Sequence, residues 1–211
     1  MTGTWQRNPS VGPLAASCAI IALITAPALG QATSDTTAFE NTQYGFVVAL
    51  PSDCRHEEGP GTVDVVCSPD SEPSDPRFAS RTLNALVLQV SAETFAADAD
   101  KTPSELAQHF TEAMFQAELP EAVCGESDTI RAKLQNVRAA LEETRVVYSA
   151  DVVCAGVRFL QVPPRMASVR YVIAPTGRYR LVARATSDEF EKHQAKIEAF
   201  FASFAVTAAA K

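Results

Sequence analysis

The stretch from Ser168 to Phe204 constrains the fold more than any other part of the chain, because three elements follow one another there without a gap. Residues 169–174 and residues 178–185 each show the two-residue alternation of a β-strand. Pro175, Thr176 and Gly177 lie between them, and proline and glycine favour a tight turn. The pattern predicts an antiparallel hairpin.

One amphipathic helix is predicted directly after this hairpin. Thr186 precedes Glu189 by three residues, which is the spacing of a capping box. Beyond them, large apolar side chains recur at helical spacing, at Phe190, Ile197, Phe201 and Phe204. Such a helix must bury its phenylalanines, and the sheet built on the hairpin is the expected surface for them.

Residues 1–30 are predicted to be a signal peptide. Residues 14–25 form an apolar run that is too short to span a bilayer, and Ala28 and Gly30 are the small residues expected before a cleavage site. We expect a flexible linker over residues 31–38, a single domain over residues 39–206 and a tail over residues 207–211. The mature protein is then periplasmic or secreted, with no membrane span after cleavage.

Four of the five cysteines lie beyond the predicted signal peptide, namely Cys54, Cys67, Cys124 and Cys154. An even number of cysteines in an exported chain indicates two disulfides. Three pairings are possible, and we favour Cys54–Cys67 together with Cys124–Cys154. The first of these bonds would close a short loop with Gly59-Pro60-Gly61 at its tip.

Several further strands are expected from short apolar or alternating runs. They are residues 44–50, which stop at Pro51, and residues 62–67, 83–90 and 146–154. The run at 83–90 is almost continuously apolar, which is typical of a strand covered on both faces. Residues 68–80 are rich in proline, serine and acids, so we expect an exposed loop there.

Two segments in the middle of the chain have helical patterns of different strength. Thr102-Pro103-Ser104-Glu105 is a second capping box, and it predicts a helix that ends at Pro120. Residues 128–143 fit a helix by one spacing and a strand by another. Both interpretations remain open; the neighbouring strands favour sheet, with a turn at Gln135-Asn136.

The order of these elements is that of a known fold. An aromatic-glycine strand that ends in proline, from Tyr44 to Pro51, opens the domain, and a hairpin leads to a terminal helix that ends in Ser203-Phe204. This layout resembles the PsbP-like fold, shared by many exported bacterial proteins including the DcrB-like group. The resemblance implies an α+β fold, an antiparallel β-sheet flanked by helices as an α/β/α sandwich. It implies no catalytic residue. Ser52-Asp53-Cys54 replaces the Gly-Trp pair of many relatives.

The hairpin also carries the strongest candidate for a binding site. Arg178, Arg180 and Arg184 share one side of the second strand by alternation. Guanidinium groups bind carboxylates and phosphates through two parallel hydrogen bonds. The three arginines are therefore the candidate residues for binding an anionic ligand. The alternative is that they lie on a solvated sheet face or pair with acids of the same chain.

Signals for catalysis or metal binding are weaker. The chain has no G-x-S-x-G motif, and Gly59 and Gly61 do not open a helix as a dinucleotide-binding loop would. A zinc site that uses Cys54, His56 and Cys67 is less favoured than disulfides, because the short paired spacings of structural zinc sites are missing. No cofactor or metal is expected.

The patterns together predict an exported, non-catalytic module of the cell envelope. Its expected partner is an envelope protein or a small anionic ligand. The chain has a formal net charge of −7, and this acidic balance argues against binding to nucleic acid. The alternative is a periplasmic hydrolase with a site based on His56 or His109.

Overall fold

The computed structural model describes residues 35–67, 85–94, 101–124, 131–155 and 164–207. The strands are β1 (Thr36–Asn41), β2 (Phe46–Pro51), β3 (Arg55–Gly59), β4 (Thr62–Cys67), β5 (Leu86–Thr94), β6 (Arg131–Leu141), β7 (Val146–Ala155), β8 (Arg165–Ala174), β9 (Gly177–Thr186) and β10 (Ala205–Val206). The helices are α1 (Pro103–His109), α2 (Glu112–Cys124), α3 (Ser187–Lys192) and α4 (Gln194–Ser203). The fold is α+β, as the sequence predicts.

The strands form two antiparallel sheets. The smaller sheet has the order β1-β2-β10, and the larger has the order β3-β4-β5-β9-β8-β7-β6. The hairpin predicted from the sequence is confirmed, with β8 and β9 paired from Arg165 opposite Thr186 to Ala174 opposite Gly177. Because these two strands lie between β5 and β7, their alternating side chains reach both faces in the middle of the larger sheet.

A helical segment follows the hairpin as predicted, but it is interrupted. α3 ends at Lys192, and His193 separates it from α4. Thr186 is the N-cap residue of α3 but makes no side-chain capping hydrogen bond. The carboxylate of Glu189 is instead 2.5 Å from Lys192 Nζ and 3.5 Å from His193 Nε2. The expected capping box is absent because this carboxylate faces the C-terminal end of α3.

The capping box at the start of α1 is confirmed. Glu105 N donates to Thr102 Oγ1 at 3.4 Å, and Thr102 N donates to Glu105 Oε2 at 2.8 Å. The predicted helix is nevertheless broken at Phe110, whose backbone is extended at φ −128° and ψ 100°. The Phe110 ring is buried against Tyr148 and Tyr171, so tertiary packing overrides the helical pattern.

Pro120 does not end the second of these helices, contrary to the sequence expectation. It lies inside α2, which continues to Cys124. The last turn is held by two tertiary contacts, because Val123 is buried and Cys124 is bonded to Cys154. These contacts compensate for the backbone hydrogen bond that a proline cannot donate.

Three strands, β1, β3 and β10, have no counterpart in the sequence predictions. β1 begins at Thr36, before the expected start of the domain at Phe39, so the end of the predicted linker is a strand. β3 consists of exposed polar residues and pairs with β4. Gly61 lies in the turn between them at φ +68°, a conformation that glycine adopts without strain.

The segment with the ambiguous pattern is strand β6, and its helical interpretation is wrong within residues 131–141. Gln135 and Asn136 do not form a hairpin turn. Their strand pairs continuously with β7 apart from a register shift between Gln135 and Arg138, and Asn136 has φ 52°. This is a β-bulge, in which one strand contains one more residue than its partner.

Both disulfides join the pairs favoured from the sequence. The Cα atoms of Cys54 and Cys67 lie 4.4 Å apart, and those of Cys124 and Cys154 lie 5.7 Å apart. The first bond links the beginning of the β3–β4 hairpin to its end. The second links α2 to β7. The predicted signal peptide over residues 1–30 and the predicted loop over residues 68–80 lie outside the described residues.

The larger sheet is packed on both faces, but each described layer covers only half of a face. On one face, the α2 face, α1 and α2 pack on β6, β7 and β8 around Phe115, Tyr148 and Tyr171. On the opposite face, the α4 face, α4 and the smaller sheet pack over β4, β5 and β9. Two half-exposed areas therefore remain. One lies on the α2 face over β4, β5 and β9, and the other lies on the α4 face over β6, β7 and β8. One consequence is that β5 is not covered on both faces as expected, since Val87 and Gln89 are partly exposed.

Candidate functional site

The structure separates Arg178 from the other two predicted ligand-binding arginines. Its Nη1 donates to both carboxylate oxygens of Glu118, at 3.1 and 3.2 Å, and its Nη2 donates to Glu93 Oε2 at 2.8 Å. The guanidinium carbon also lies 5.2 Å from the centroid of the Phe110 ring. Burial alone lowers the pKa of Arg178, but the two carboxylates outweigh burial and raise it. This side chain ties α2 to the β5–β9 pair.

Arg180 and Arg184 remain together on the half-exposed part of the α2 face. Arg180 lies opposite Ser91 in the strand register and donates from Nε to Ser91 Oγ at 3.2 Å. Within the described ranges, no carboxylate lies at ion-pair distance from either guanidinium. Each guanidinium therefore keeps N–H donors that no described side-chain carboxylate accepts.

A third arginine and one acid complete this area, which we call the Arg184 surface: Asp64, Gln89, Ser91, Arg165, Arg180 and Arg184. Burial lowers the pKa of Arg184; Arg165 and Arg180 lower it further, and only Asp64 opposes them. The Asp64 carboxylate in turn accepts a hydrogen bond of 2.6 Å from Gln89 Nε2. The charged groups near Arg184 are thus mainly positive in a chain that is negative as a whole.

The other half-exposed area contains a cavity of about 220 Å³ over β6, β7 and β8 on the α4 face. We call it the Arg170 cavity. Its polar lining includes Arg138, Arg145, Ser149 and Arg170, and its apolar lining includes Val147 and Phe204. Arg170 Nη1 donates to the Phe201 carbonyl oxygen at 3.0 Å. Burial lowers the pKa of Arg170, while Glu142 acts in the opposite direction and Arg145 in the same direction.

Sequence reasoning assigned no role to this cavity. Arg170 lies in the predicted hairpin, and the alternation already places it on the face opposite Arg178, Arg180 and Arg184. The sequence thus indicated the face on which Arg170 lies, but it did not indicate which residues lie beside it. Arg138 and Arg145 belong to the segment whose secondary structure was ambiguous and to the turn that follows it, so their positions beside Arg170 were not predictable.

The residues weighed for catalysis or metal binding are not brought together. His56 and His109 are exposed, and His56 Nε2 is 3.7 Å from Glu58 Oε1 on the same strand. Within the described residues, neither histidine lines the Arg170 cavity. Cys54 and Cys67 are bonded to each other, so neither sulfur is available as a thiolate ligand.

Comparisons with known proteins give a likeness in fold. No protein-family model and no curated protein matches the chain. The cyanobacterial PsbP protein (CyanoP) of Synechocystis sp. PCC 6803 is similar with a TM-score of 0.48 and 15% identity, over 87% of this chain and 98% of that chain. LpqN of Mycobacterium tuberculosis, involved in cell envelope biogenesis, is similar with a TM-score of 0.48 and 14% identity, over 82% of this chain and 91% of that chain. PA94 of Pseudomonas aeruginosa, a protein of unknown function, is similar with a TM-score of 0.41 and 10% identity, over 77% of this chain and 91% of that chain.

These similarities assign neither ligand nor partner. No helix in the described part of the chain is both long enough and apolar enough to cross a membrane.

Proposed function

We propose that the protein is an exported, non-catalytic module of the cell envelope, and that its Arg184 surface binds an acidic segment of a partner protein. The observation that carries the proposal is the pair of half-buried arginines, Arg180 and Arg184, without a described carboxylate at ion-pair distance. Their neighbours on β4 and β5 supply hydrogen-bonding groups rather than a covering apolar layer.

Export is supported by two independent features. The apolar run at residues 14–25, followed by small residues at Ala28 and Gly30, has the pattern of a cleavable signal. The two disulfides require an oxidising compartment for their formation. Since these features concern separate parts of the chain, neither depends on the other.

The choice of an acidic protein segment follows from charge and shape. Arg165, Arg180 and Arg184 face one acid, Asp64, so an approaching carboxylate is attracted. Within the described residues, the arginines lie on neighbouring strands of a sheet face and not in an enclosed pocket, which favours an extended chain with several carboxylates over a small molecule. Arginine can bind each carboxylate through two hydrogen bonds.

The proposal is tested by capturing the partner through this surface. A photoreactive amino acid at position 89, between Asp64 and the arginines, would cross-link the native partner in intact envelopes. The captured protein is then titrated with the wild type, with R180Q/R184Q and with R131Q/K133Q. The last variant is a matched control, because it removes the same charge from exposed positions of β6.

We expect R180Q/R184Q to weaken partner binding at least about tenfold and to flatten its dependence on salt. The control variant should bind as the wild type does. Equal binding by R180Q/R184Q and wild type, or a captured segment without acidic residues, would refute the proposed surface.

The histidine-based hydrolase is tested separately. A screen of ester, peptide and phosphate substrates with the exported protein is expected to show no turnover. Turnover that is abolished by His56→Ala or His109→Ala would replace the non-catalytic proposal with an enzymatic one.

A further inference from the structure

The Arg170 cavity owes one of its arginines to the bulge in β6. Gln135 lies opposite Asp151, but beyond the shift Arg138 lies opposite Ser149. Without the extra residue, Val137 would occupy the position opposite Ser149. The bulge therefore turns Val137 toward the core beneath α2, where it packs, and places the Arg138 side chain on the cavity side. Bulges commonly redirect side chains next to functional sites.

The cavity has an excess of positive charge. Arg138, Arg145 and Arg170 line it together with a single acid, Glu142. Glu142 is engaged by Arg145 Nε, and no described carboxylate lies at ion-pair distance from Arg138 or Arg170. Arg170 is held in place by its hydrogen bond to the Phe201 carbonyl and by the Phe201 ring, 5.2 Å from its guanidinium carbon. A fixed guanidinium loses little side-chain entropy on binding an anion.

The remaining lining is apolar. Val147, Val172 and Phe204 line the same cavity, and Phe204 and Val172 are almost fully buried. A bare phosphate or sulfate would leave the exposed parts of Ala140 and Val147, which also line the cavity, facing water. The volume of about 220 Å³ corresponds to roughly seven water molecules in the liquid, so the space suits a small organic molecule.

We propose that the Arg170 cavity binds a small monocarboxylate with a compact apolar body, such as an aromatic or short branched acid. The carboxylate lies between Arg138 and Arg170 with the Ser149 hydroxyl beside it, and the apolar body lies against Val147, Val172 and Phe204. This site is on the opposite face of the sheet from the Arg184 surface and does not depend on it.

Sodium benzoate is a suitable probe, followed by ¹H–¹⁵N NMR of the folded, oxidised protein. Benzyl alcohol and inorganic phosphate are the comparison compounds, because the first lacks the charge and the second lacks the apolar body. R138Q tests the site, since Arg138 is exposed and makes no described side-chain hydrogen bond. R131Q, on the same strand but outside the cavity lining, is its matched control.

We expect benzoate to produce saturable shifts in β6, β7 and β8 with a Kd below about 10 mM. R138Q should weaken this binding at least about tenfold, whereas R131Q should leave it unchanged. R180Q/R184Q should also bind benzoate normally, which separates this site from the proposed function.

Three results would each overturn the proposal. The first is the absence of saturable shifts with benzoate at that concentration. The second is equal weakening by R138Q and R131Q, with both variants folded by thermal unfolding. The third is binding of benzyl alcohol or phosphate as tight as that of benzoate, because the cavity would then not select a monocarboxylate.

Discussion

Replacing Arg178 with glutamine is expected to loosen α2 from the larger sheet. The substitution removes the ion pairs to Glu118 and Glu93 and the contact with the Phe110 ring. The side chains of Arg178, Glu118 and Glu93 are 28%, 40% and 60% exposed, so solvent screens both ion pairs. We assign each about 0.5 kcal/mol on that account.

The ring contact adds to this loss. Phe110 is buried, and a partly desolvated guanidinium over an aromatic ring contributes about 1 kcal/mol. The total is about 2 kcal/mol of unfolding free energy. For a domain of this size it corresponds to a fall in Tm of roughly 4–8 °C.

Urea unfolding followed by circular dichroism measures the loss, with R180Q as the matched control. R180Q removes one hydrogen bond to Ser91 and should lower the unfolding free energy by only about 0.5–1 kcal/mol. A double-mutant cycle of R178Q with Glu118→Gln should give a coupling of about 0.5 kcal/mol. Equal effects of R178Q and R180Q would refute this account of Arg178, since the substitutions are chemically identical and differ only in their partners.

Two further predictions concern the disulfides and an ion pair beside one of them. The chain without the predicted signal peptide, denatured without reductant, is expected to show no titratable thiol; four thiols would contradict both bonds. The Asp53 carboxylate accepts a hydrogen bond from Lys196, which is the largest cause of its lowered pKa, while desolvation acts in the opposite direction. A lowered carboxyl pKa in the folded state stabilises the protein above the ordinary value of 3.8, and this stabilisation is lost as the pH falls through the lowered value. In urea titrations the difference between wild type and Asp53→Asn should therefore shrink with acidification, and a difference that grows at low pH would contradict the assignment.

Local periodicity was sufficient to predict most of the central sheet. β7 alternates in burial as it does in sequence, and β8 and β9 do so except where consecutive residues are buried on both faces of the sheet. β3 was missed because its residues are polar and exposed; it is a strand only through its pairing with β4. The break at Phe110 was not predictable either, since it depends on packing against Tyr148 and Tyr171 rather than on helix propensity.

The candidate site was less predictable than the fold, because the residues that meet there are far apart in the sequence. The alternation of Arg178, Arg180 and Arg184 places them on one side of β9, and they do share it. However, Arg178 differs from the other two arginines through its ion pairs with Glu118 and Glu93, which are 60 and 85 positions away in the sequence. Arg170 likewise meets Arg138 only because β6, β7 and β8 are neighbours in the sheet.

The smaller sheet has a consequence for when the chain can finish folding. β2 lies between β1 and β10, and the Ala49 N–H donates to the Ser203 hydroxyl 154 positions further along. Phe46 also packs against Phe204. While the chain is being synthesised, β2 therefore lacks its second neighbour until residues near 206 have emerged. Contacts so distant in sequence form slowly. In the proposed exported setting, the smaller sheet therefore closes only after Val206 has left the translocation channel.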